Sequence, residues 1–234
     1  MYKWLGNCPV TVYNINMPVF KSVNKDFFKK WSRDMAYVLG FFAADGNIIN
    51  TKQGGYYVSF YSSDKNILLE MQRAMNSNHK LSKRNNENTY RFQIGSKEMF
   101  HDLSKLGFIQ KKTRRIKIPK ISQKFSLDFI RGYFDGDGNV WSGEINRQRS
   151  KPTKVLQVTF TSGCGEFLNG LHVLLKKNGI EGGSFFKIKN KNCWRLLFST
   201  LDSLKIYKIM YNTEHKLYLK RKKLMFENFI NMRP

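Results

Sequence analysis

Two short segments of the chain place an aspartate and a glycine at the end of an apolar run: "VLGFFAADG" (38–46) ends at Asp45-Gly46, and "IRGYFDGDG" (130–138) ends at Asp137-Gly138. A carboxylate near a helix C-terminus meets the negative end of the helix dipole and costs stability unless a cation compensates. Two such carboxylates side by side repel each other unless divalent cations lie between them. Oxygen ligands without His or Cys suit Mg²⁺, so the pattern indicates metal-assisted phosphodiester hydrolysis.

These segments belong to a longer internal repeat. Asp45 and Asp137 are related by a shift of 92 positions, "VSFYS" (58–62) matches "VTFTS" (158–162) at a shift of 100, and "YRF" (90–92) matches "WRL" (194–196) at 104. Each half therefore spans about a hundred residues. The first copy has Ala43 where the second has Asp135, so we predict that Asp135 is expendable to a two-fold mechanism.

Hydrophobic periodicity predicts the same α+β order in both halves, helix-strand-strand-helix-strand-strand-helix. We expect an N-terminal extension at 1–32, a first repeat at 33–120 and a second repeat at 121–234. Each motif helix should end at a glycine in the left-handed conformation, and Gly40 and Gly132 would let the two motif helices approach closely. The predicted helices are 33–44, 65–76, 97–106, 125–137, 165–178 and 201–211, and the predicted strand pairs are 47–51 with 56–62, 79–85 with 89–95, 139–147 with 154–162, and 183–191 with 193–199.

The charge balance points to a polyanionic partner. Lys and Arg total 41 against 17 Asp and Glu, which gives a net charge of +24. The basic residues are interleaved with 19 Phe and 11 Tyr, so we expect a folded basic surface, not a disordered arm. No apolar run approaches the roughly 20 residues that span a bilayer, and the N-terminus lacks a secretory signal, so we expect a soluble intracellular protein of the cytoplasm, nucleoid or an organelle. Three widely spaced cysteines and four scattered histidines indicate neither a disulfide framework nor a zinc site.

Alternation along the strands predicts that Tyr56, Val58 and Phe60 of the first copy, and Leu156, Val158 and Phe160 of the second, face the core. It assigns polar and basic residues to an outward face, where cations would contact phosphates and polar groups would contact base edges. Lys187, Lys189 and Lys191 are expected to share one such face. The alternative is an ordinary solvated sheet face without a binding role. The net charge of +24 favours the nucleic-acid surface over this alternative. The nucleic-acid contact candidates are Asn47, Tyr57, Ser59, Tyr61, Arg84, Arg91, Gln93, Arg147, Arg149, Gln157, Thr159, Lys187, Lys189, Lys191 and Arg195.

The paired motifs, their spacing and the strand layout resemble a single-chain LAGLIDADG homing endonuclease over roughly residues 33–230. The resemblance implies two pseudo-symmetric repeats with two central packed helices, whose antiparallel sheets form a saddle over double-stranded DNA. It implies that Asp45 and Asp137 bind the metal ions and catalyse strand cleavage, with the backbone carbonyls of Ala44 and Gly136 as further metal ligands. Two or more Mg²⁺ ions are expected, with Mn²⁺ substituting and Ca²⁺ binding without supporting cleavage.

In that family a basic residue near the end of each half reaches the active site. Lys112 is the nearest match in the first half, and Lys220 or Lys222 in the second. The resulting hypothesis is a monomeric, intron-encoded type of nuclease without an obligate protein partner, which cuts a long non-palindromic duplex of about two helical turns. The alternatives are an intron RNA-binding maturase on the same scaffold and a basic ribosome-associated structural protein.

Overall fold

The computed structural model of the chain describes residues 21–83, 88–110, 116–148, 150–211 and 216–232. Within these ranges the element order is αββαββα twice, followed by one further helix. The strands form two separate antiparallel sheets of four strands each. The predicted α+β class and its two-repeat layout are therefore confirmed. None of the helices in the described ranges combines the length and apolar character needed to cross a bilayer.

The first repeat folds its strands into one sheet in the order β1-β2-β4-β3. Its third strand begins at Ser82, three residues after the predicted start of 79–85, and residues 84–87 lie outside the described ranges. The elements of this repeat are α1 (Arg33–Asp45), β1 (Gly46–Asn50), β2 (Tyr56–Ser62), α2 (Lys65–Ala74), β3 (Ser82–Lys83), β4 (Tyr90–Gly95) and α3 (Lys97–Lys105).

The second repeat has the same sheet order, β5-β6-β8-β7, and adds a C-terminal helix that the periodicity did not predict. The predicted strand over 183–191 is present but ends early, because β7 stops at Lys187 and the chain then turns, with Asn190 at a φ of 60°. The elements are α4 (Gln123–Asp137), β5 (Gly138–Ile145), β6 (Thr153–Ser162), α5 (Gly165–Lys177), β7 (Ser184–Lys187), β8 (Trp194–Phe198), α6 (Thr200–Tyr211) and α7 (Lys220–Asn231).

The two motif helices, α1 and α4, pack against each other at the centre of the molecule. Their crossing depends on the two glycines that the sequence singled out. A Cβ atom on Gly40 would lie 2.1 Å from the carbonyl oxygen of Phe129, and one on Gly132 would lie 2.0 Å from that of Tyr37. Because these obstacles are backbone atoms, any side chain would force the helices apart. The predicted close approach is confirmed.

The glycines that end the motif helices are not left-handed, so that prediction was wrong. Gly46 has φ −99° and ψ 160°, and Gly138 has φ −82° and ψ 157°, which is extended backbone. These positions need glycine for space: a Cβ on Gly46 would lie 2.1 Å from the ring of Phe42, and one on Gly138 would lie 2.3 Å from the ring of Phe134. Each helix therefore passes directly into a strand, which places the preceding aspartate at the junction.

The helices cover one face of each sheet and form the core with it. The inward alternation predicted for β2 and β6 is confirmed, since Val58, Phe60, Val158 and Phe160 are all fully buried. Aromatic rings connect the motif helices to the sheets, as in the edge-to-face contact of Phe42 with Phe60, whose centroids are 5.4 Å apart. The sheet face opposite the helices, called the open face below, is left uncovered by the described helices.

Candidate functional site

The two motif aspartates meet where the C-terminal tips of α1 and α4 touch. A Cβ atom on Gly136 would lie 2.3 Å from the Cβ of Ala44 and 3.4 Å from Oδ2 of Asp45, so the tips are in contact. Burial raises the pKa of Tyr133 far above its usual value, and the charges of Asp137 and Asp45 raise it further. Since both carboxylates act on the same phenol, they occupy one site, and each is half-buried there.

The tip of α4 is tied to the neighbouring strand by two hydrogen bonds. The hydroxyl of Thr161 donates to the backbone carbonyl of Asp137 at 2.9 Å, and the hydroxyl of Tyr133 donates to the carbonyl of Thr161 at 2.6 Å. Thr161 lies on β6, so these bonds couple the aspartate to the second sheet. The equivalent positions in the first repeat are Phe41, which has no hydroxyl, and Tyr61.

Lys222 of α7 supplies the cation that the end of α4 requires. Its side chain is 3% exposed, and Nζ donates to the carbonyls of Phe134, Asp135 and Gly138 at 2.5, 2.9 and 2.5 Å. These carbonyls carry the negative end of the helix dipole, which a buried ammonium group stabilises. Burial lowers the pKa of Lys222 to about 8, and the negative charges near it, including those of Asp45 and Asp137, oppose that shift.

The three candidate lysines therefore fall in different places. Lys222 lies at the second aspartate's helix tip. Lys220, at the start of α7, is exposed and lines a cleft of about 560 Å³ together with residues of α2, including Asp64 and Arg73. Lys112 lies outside the described residues. Geometry thus separates Lys222 from Lys220, which the sequence could not do.

Asp135 has a structural role that the comparison of the two repeats missed. It is 2% exposed and accepts hydrogen bonds from the hydroxyl of Tyr37 at 2.7 Å, the hydroxyl of Tyr211 at 3.4 Å and the backbone N–H of Leu219 at 2.8 Å. Burial raises its pKa, and the nearby charge of Lys222 opposes that shift. Asp135 thereby joins α1, α4, α6 and the N-terminal end of α7. Its first-repeat counterpart, an alanine, gave no sign of this role.

Arg131 extends the same buried network toward the C-terminal segment. Its guanidinium donates to the carbonyls of Leu217 at 3.1 Å and Met210 at 3.2 Å, and it forms an ion pair of 2.8 Å with Asp128. It also lies over the ring of Tyr37, 5.4 Å from the centroid. The chain segment before α7 is therefore held onto the central helix pair by two buried side chains of opposite charge.

Strand register decides which predicted contact residues lie on the open face, because directly opposed residues of an antiparallel pair point to the same side. In the first sheet, Ser59 lies on the open face as predicted, opposite Asn47 and Gln93, but it is fully buried there and its hydroxyl accepts a hydrogen bond from Gln93 at 3.2 Å. The other predicted residues of this sheet, which the register places on the open face with at least partial exposure, are Asn47, Tyr57, Tyr61, Arg91 and Gln93.

In the second sheet, the register shows that the prediction of one outward face shared by Lys187, Lys189 and Lys191 was wrong. Lys187 pairs with Trp194, which shares the helix-facing side of β8 with Leu196 and Phe198. Lys189 and Lys191 lie in the turn after β7 and are exposed. The predicted residues that do lie on this open face are Gln157, Thr159 and Arg195, and the register adds Asn139 and Trp141, which the sequence reading had not selected.

Cations of the described strands are therefore sparse on the open faces. Arg91 and Arg195 are the arginines that the described register places there. Arg147 is exposed in the turn after β5, while Arg84 and Arg149 lie outside the described residues. Cations in turns and at sheet edges suit phosphate contacts, and the polar and aromatic residues between them suit base edges.

The donor set at the helix tips fits a divalent cation that is not enclosed by protein. Among the described residues, no group of three or more His, Cys, Asp or Glu could hold a metal. The tips offer two carboxylates and the neighbouring carbonyls. Mg²⁺ is commonly held by one or two carboxylates together with water and substrate phosphates. The residues present therefore suit an ion whose coordination shell is completed by a phosphodiester.

Comparison with known proteins identifies the family of the chain and agrees with its fold. The sequence model of the LAGLIDADG-like domain family matches residues 32–107 and 124–210. The LAGLIDADG homing endonuclease I-SmaMI bound to cleaved DNA is similar in structure, with a TM-score of 0.59 and 13% identity over 88% of this chain and 93% of that chain. I-SmaMI bound to uncleaved target DNA in the presence of calcium ions gives 0.58 and 14% over 88% and 95%. I-LtrWI bound to target DNA gives 0.59 and 12% over 89% and 90%.

Similarity also extends to a curated protein from Methanocaldococcus jannaschii. Subunit Rpo1C of its DNA-directed RNA polymerase is 29% identical over 216 residues, which cover 88% of this chain and 23% of that subunit. The chain spans less than a quarter of that protein, so the match transfers no polymerase activity.

Proposed function

Because the chain belongs to the LAGLIDADG-like domain family, we propose that it is a divalent-metal-dependent endonuclease that cuts both strands of double-stranded DNA at a specific site. One observation carries the proposal: the packed helices α1 and α4 bring one aspartate from each repeat, Asp45 and Asp137, to adjacent tips. Two carboxylates held at the negative ends of two helices lower the stability of the fold, and a local loss of stability of this kind is typical of functional sites.

In this proposal Asp45 and Asp137 hold Mg²⁺, assisted by the carbonyls of Ala44 and Gly136. The metal, when bound, activates water and stabilises the leaving oxygen of the phosphodiester. The chain's own contribution is to position the carboxylates. The helix-to-strand junctions at Gly46 and Gly138 leave each aspartate little freedom, and the packed tips hold the two acids close enough to act on opposite strands.

Lys222 acts in this proposal as a fixed positive charge beside the second aspartate. Its three carbonyl partners keep the ammonium group in place, and that charge would favour the negative charge that develops on the phosphate during cleavage. Lys112 remains the proposed counterpart in the first repeat. Lys220 is exposed at the rim of the cleft with α2, which gives it no comparable position.

The DNA would lie along the two open faces. The net charge of +24 provides phosphate attraction, and the two faces present different side chains, which favours a long asymmetric target with one half-site for each repeat. DNA complexes of I-SmaMI and I-LtrWI on the same fold support this arrangement. The maturase alternative explains the charge but gives no reason for the paired carboxylates.

The test is a cleavage selection with purified protein and a plasmid library of randomised targets. We expect cleavage with Mg²⁺ or Mn²⁺, and binding without cleavage when Ca²⁺ replaces them. Asp45→Asn and Asp137→Asn should each lower double-strand cleavage by at least about 100-fold, the scale of losing several kcal/mol of metal-assisted stabilisation, with DNA affinity retained. Glu181→Gln, which changes an exposed acid elsewhere, is the matched control.

Two results would contradict the nuclease. One is the absence of cleavage of any library member with either Mg²⁺ or Mn²⁺, combined with tight binding to structured RNA, which would favour the maturase. The other is undiminished cleavage by both asparagine variants, which would remove the two aspartates from the site.

A further inference from the structure

The hairpin that follows the second aspartate is longer than its counterpart in the first repeat. Strands β5 and β6 pair over eight positions, from Gly138 opposite Phe160 to Ile145 opposite Thr153. Strands β1 and β2 pair over five, ending at Asn50 opposite Tyr56. Three more residues at about 3.3 Å each extend the second hairpin by about 10 Å, which is about three base pairs of B-DNA.

The open face of the outer part of this hairpin is mainly apolar. Trp141, at the fourth paired position, and Ile145, at the end of the additional length, are each 40% exposed. Val155 lies between them in the paired strand and is 9% exposed, and Thr153, opposite Ile145, adds a hydroxyl group to this face. The indole of Trp141 lies over Gly143, where a Cβ atom would be 2.5 Å from the ring, so the glycine makes room for a flat platform. We call Trp141, Ile145 and Val155 the outer hairpin surface.

Charged groups of the same hairpin point elsewhere. Glu144 and Lys154 occupy directly opposed positions of the two strands, and the register places both on the side opposite Trp141. Among the described residues of the connection beyond the paired strands, Arg147 and Lys151 are exposed cations. The outer hairpin surface is therefore an apolar strip that ends at cations, on the same open face as Asn139 and Gln157.

We propose that the outer hairpin surface reads the C5-methyl groups of thymines in the outer part of one half-site. The proposal rests on the proposed DNA endonuclease function. In the major groove, thymine is distinguished by its methyl group, which apolar side chains contact, whereas the other base edges are read by hydrogen-bonding groups, of which Trp141, Ile145 and Val155 offer only one indole N–H. The adjoining cations would hold the phosphates on either side of the groove.

The first repeat has Ile49 at the position equivalent to Trp141, and its paired strands hold no equivalent of Ile145. Its hairpin ends earlier, and its exposed aromatic residue, Tyr57, carries a hydroxyl group that can bond to a base edge or a phosphate. Thymine methyl groups should therefore matter in the half-site of the second repeat, from the position that Trp141 contacts to the position that Ile145 contacts, which lies up to about three base pairs beyond the first hairpin.

The test compares two randomised duplex libraries, one containing thymine and one containing uracil in its place, selected for binding to the purified protein with Ca²⁺. We expect A·T pairs at two or three positions on one flank of the selected sites, and loss of that enrichment in the uracil library. In a selected site, each thymine-to-uracil change at these positions should weaken binding about three- to fivefold, the value of one buried methyl group. Wild-type protein suffices for this measurement.

Variants assign the effect to the hairpin. Trp141→Ala and Ile145→Ser should bind the thymine and uracil duplexes equally, whereas Leu201→Ala, which removes an exposed apolar side chain from α6, should keep the discrimination. Specific binding with equal affinity for thymine and uracil on both flanks would overturn the inference and leave the proposed function standing. No specific binding to either library would overturn both. Self-association of the free protein that Trp141→Ala abolishes, with thymine discrimination unchanged, would identify the surface as a protein interface and refute the inference.

Discussion

The two repeats share their backbone geometry but support their aspartates differently. Both use a glycine at the helix crossing and a glycine at the helix-to-strand junction. The second tip adds a buried network around Asp135 and Lys222, whereas the first has Ala43 at the position equivalent to Asp135. The difference shows that the duplication preserves where the two carboxylates are placed, and allows the groups that stabilise each helix end to diverge.

Because both repeats use a glycine at the helix crossing, substitution of either glycine should cause a large loss of stability of similar size. Gly40→Ala and Gly132→Ala should each lower the free energy of unfolding by about 3 kcal/mol or more, because each new methyl group would meet a carbonyl of the opposite helix. Urea denaturation checks this. Gly170→Ala is the matched control, since it also changes a mid-helix glycine but meets only the side chain of Ile118, and it should cost less than about 1 kcal/mol. A small loss for either crossing variant would show that the helices are not packed as closely as described.

The buried network around Asp135 belongs to the second repeat, so substitutions in this network should lower the stability in a way that has no counterpart in the first repeat. Asp135→Asn should cost about 2–4 kcal/mol, because it removes a carboxylate that accepts three hydrogen bonds and lies near Lys222 and Arg131. Tyr37→Phe should cost about 1 kcal/mol, and the two losses should be less than additive in the double variant.

A matched control for this network exists in the first repeat. Asp102 of α3 is also buried, but its Oδ2 has no hydrogen-bond partner among the described residues. Asp102→Asn should therefore change the free energy of unfolding little. Equal losses for Asp102→Asn and Asp135→Asn would show that the network contributes nothing beyond burial.

Lys222 predicts a pH dependence of stability. Its pKa falls from 10.5 to about 8 on folding, so the unfolded chain binds more protons between these values. The contribution of Lys222 to stability is therefore present above about pH 10.5 and is lost as the pH falls toward 8, by about 3 kcal/mol in total. Urea denaturation of the wild type and of Lys222→Met from pH 7 to 10.5, with a chelator present, should show this rise in the difference between them. A difference independent of pH would contradict the lowered pKa.

The junction glycines predict the smallest difference between the repeats. Gly138→Ala should cost about 1–3 kcal/mol, since its Cβ would meet both the ring and, at 2.5 Å, the carbonyl oxygen of Phe134. Gly46→Ala should cost about 1 kcal/mol less, because the nearest atoms are those of the Phe42 ring, which can shift. Thermal denaturation of the two variants gives the order, and the reverse order would refute the steric argument.

The sequence alone determined the repeat, the pair of aspartates and the glycines of the helix crossing. These features were predictable because a duplicated chain repeats its chemistry at nearly constant spacing, and because apolar periodicity reports local secondary structure. Asp45 and Asp137 could be selected without coordinates, since each occupies the same place in its copy. The inward faces of β2 and β6 followed from alternation alone.

Only the tertiary structure decided which distant groups meet. The strand register placed Lys187 on the helix-facing side, because the face that a residue occupies depends on its partner strand as well as on its own alternation. Ser59 keeps its predicted face but is buried there beside Gln93, a contact that alternation does not report. The hydrogen bonds that Lys222 donates to the carbonyls at the end of α4 and the start of β5 join residues 84 to 88 positions apart. The extended conformation of Gly46 depends on space beside the Phe42 ring. No local pattern encodes such contacts, since they arise from how separate elements pack.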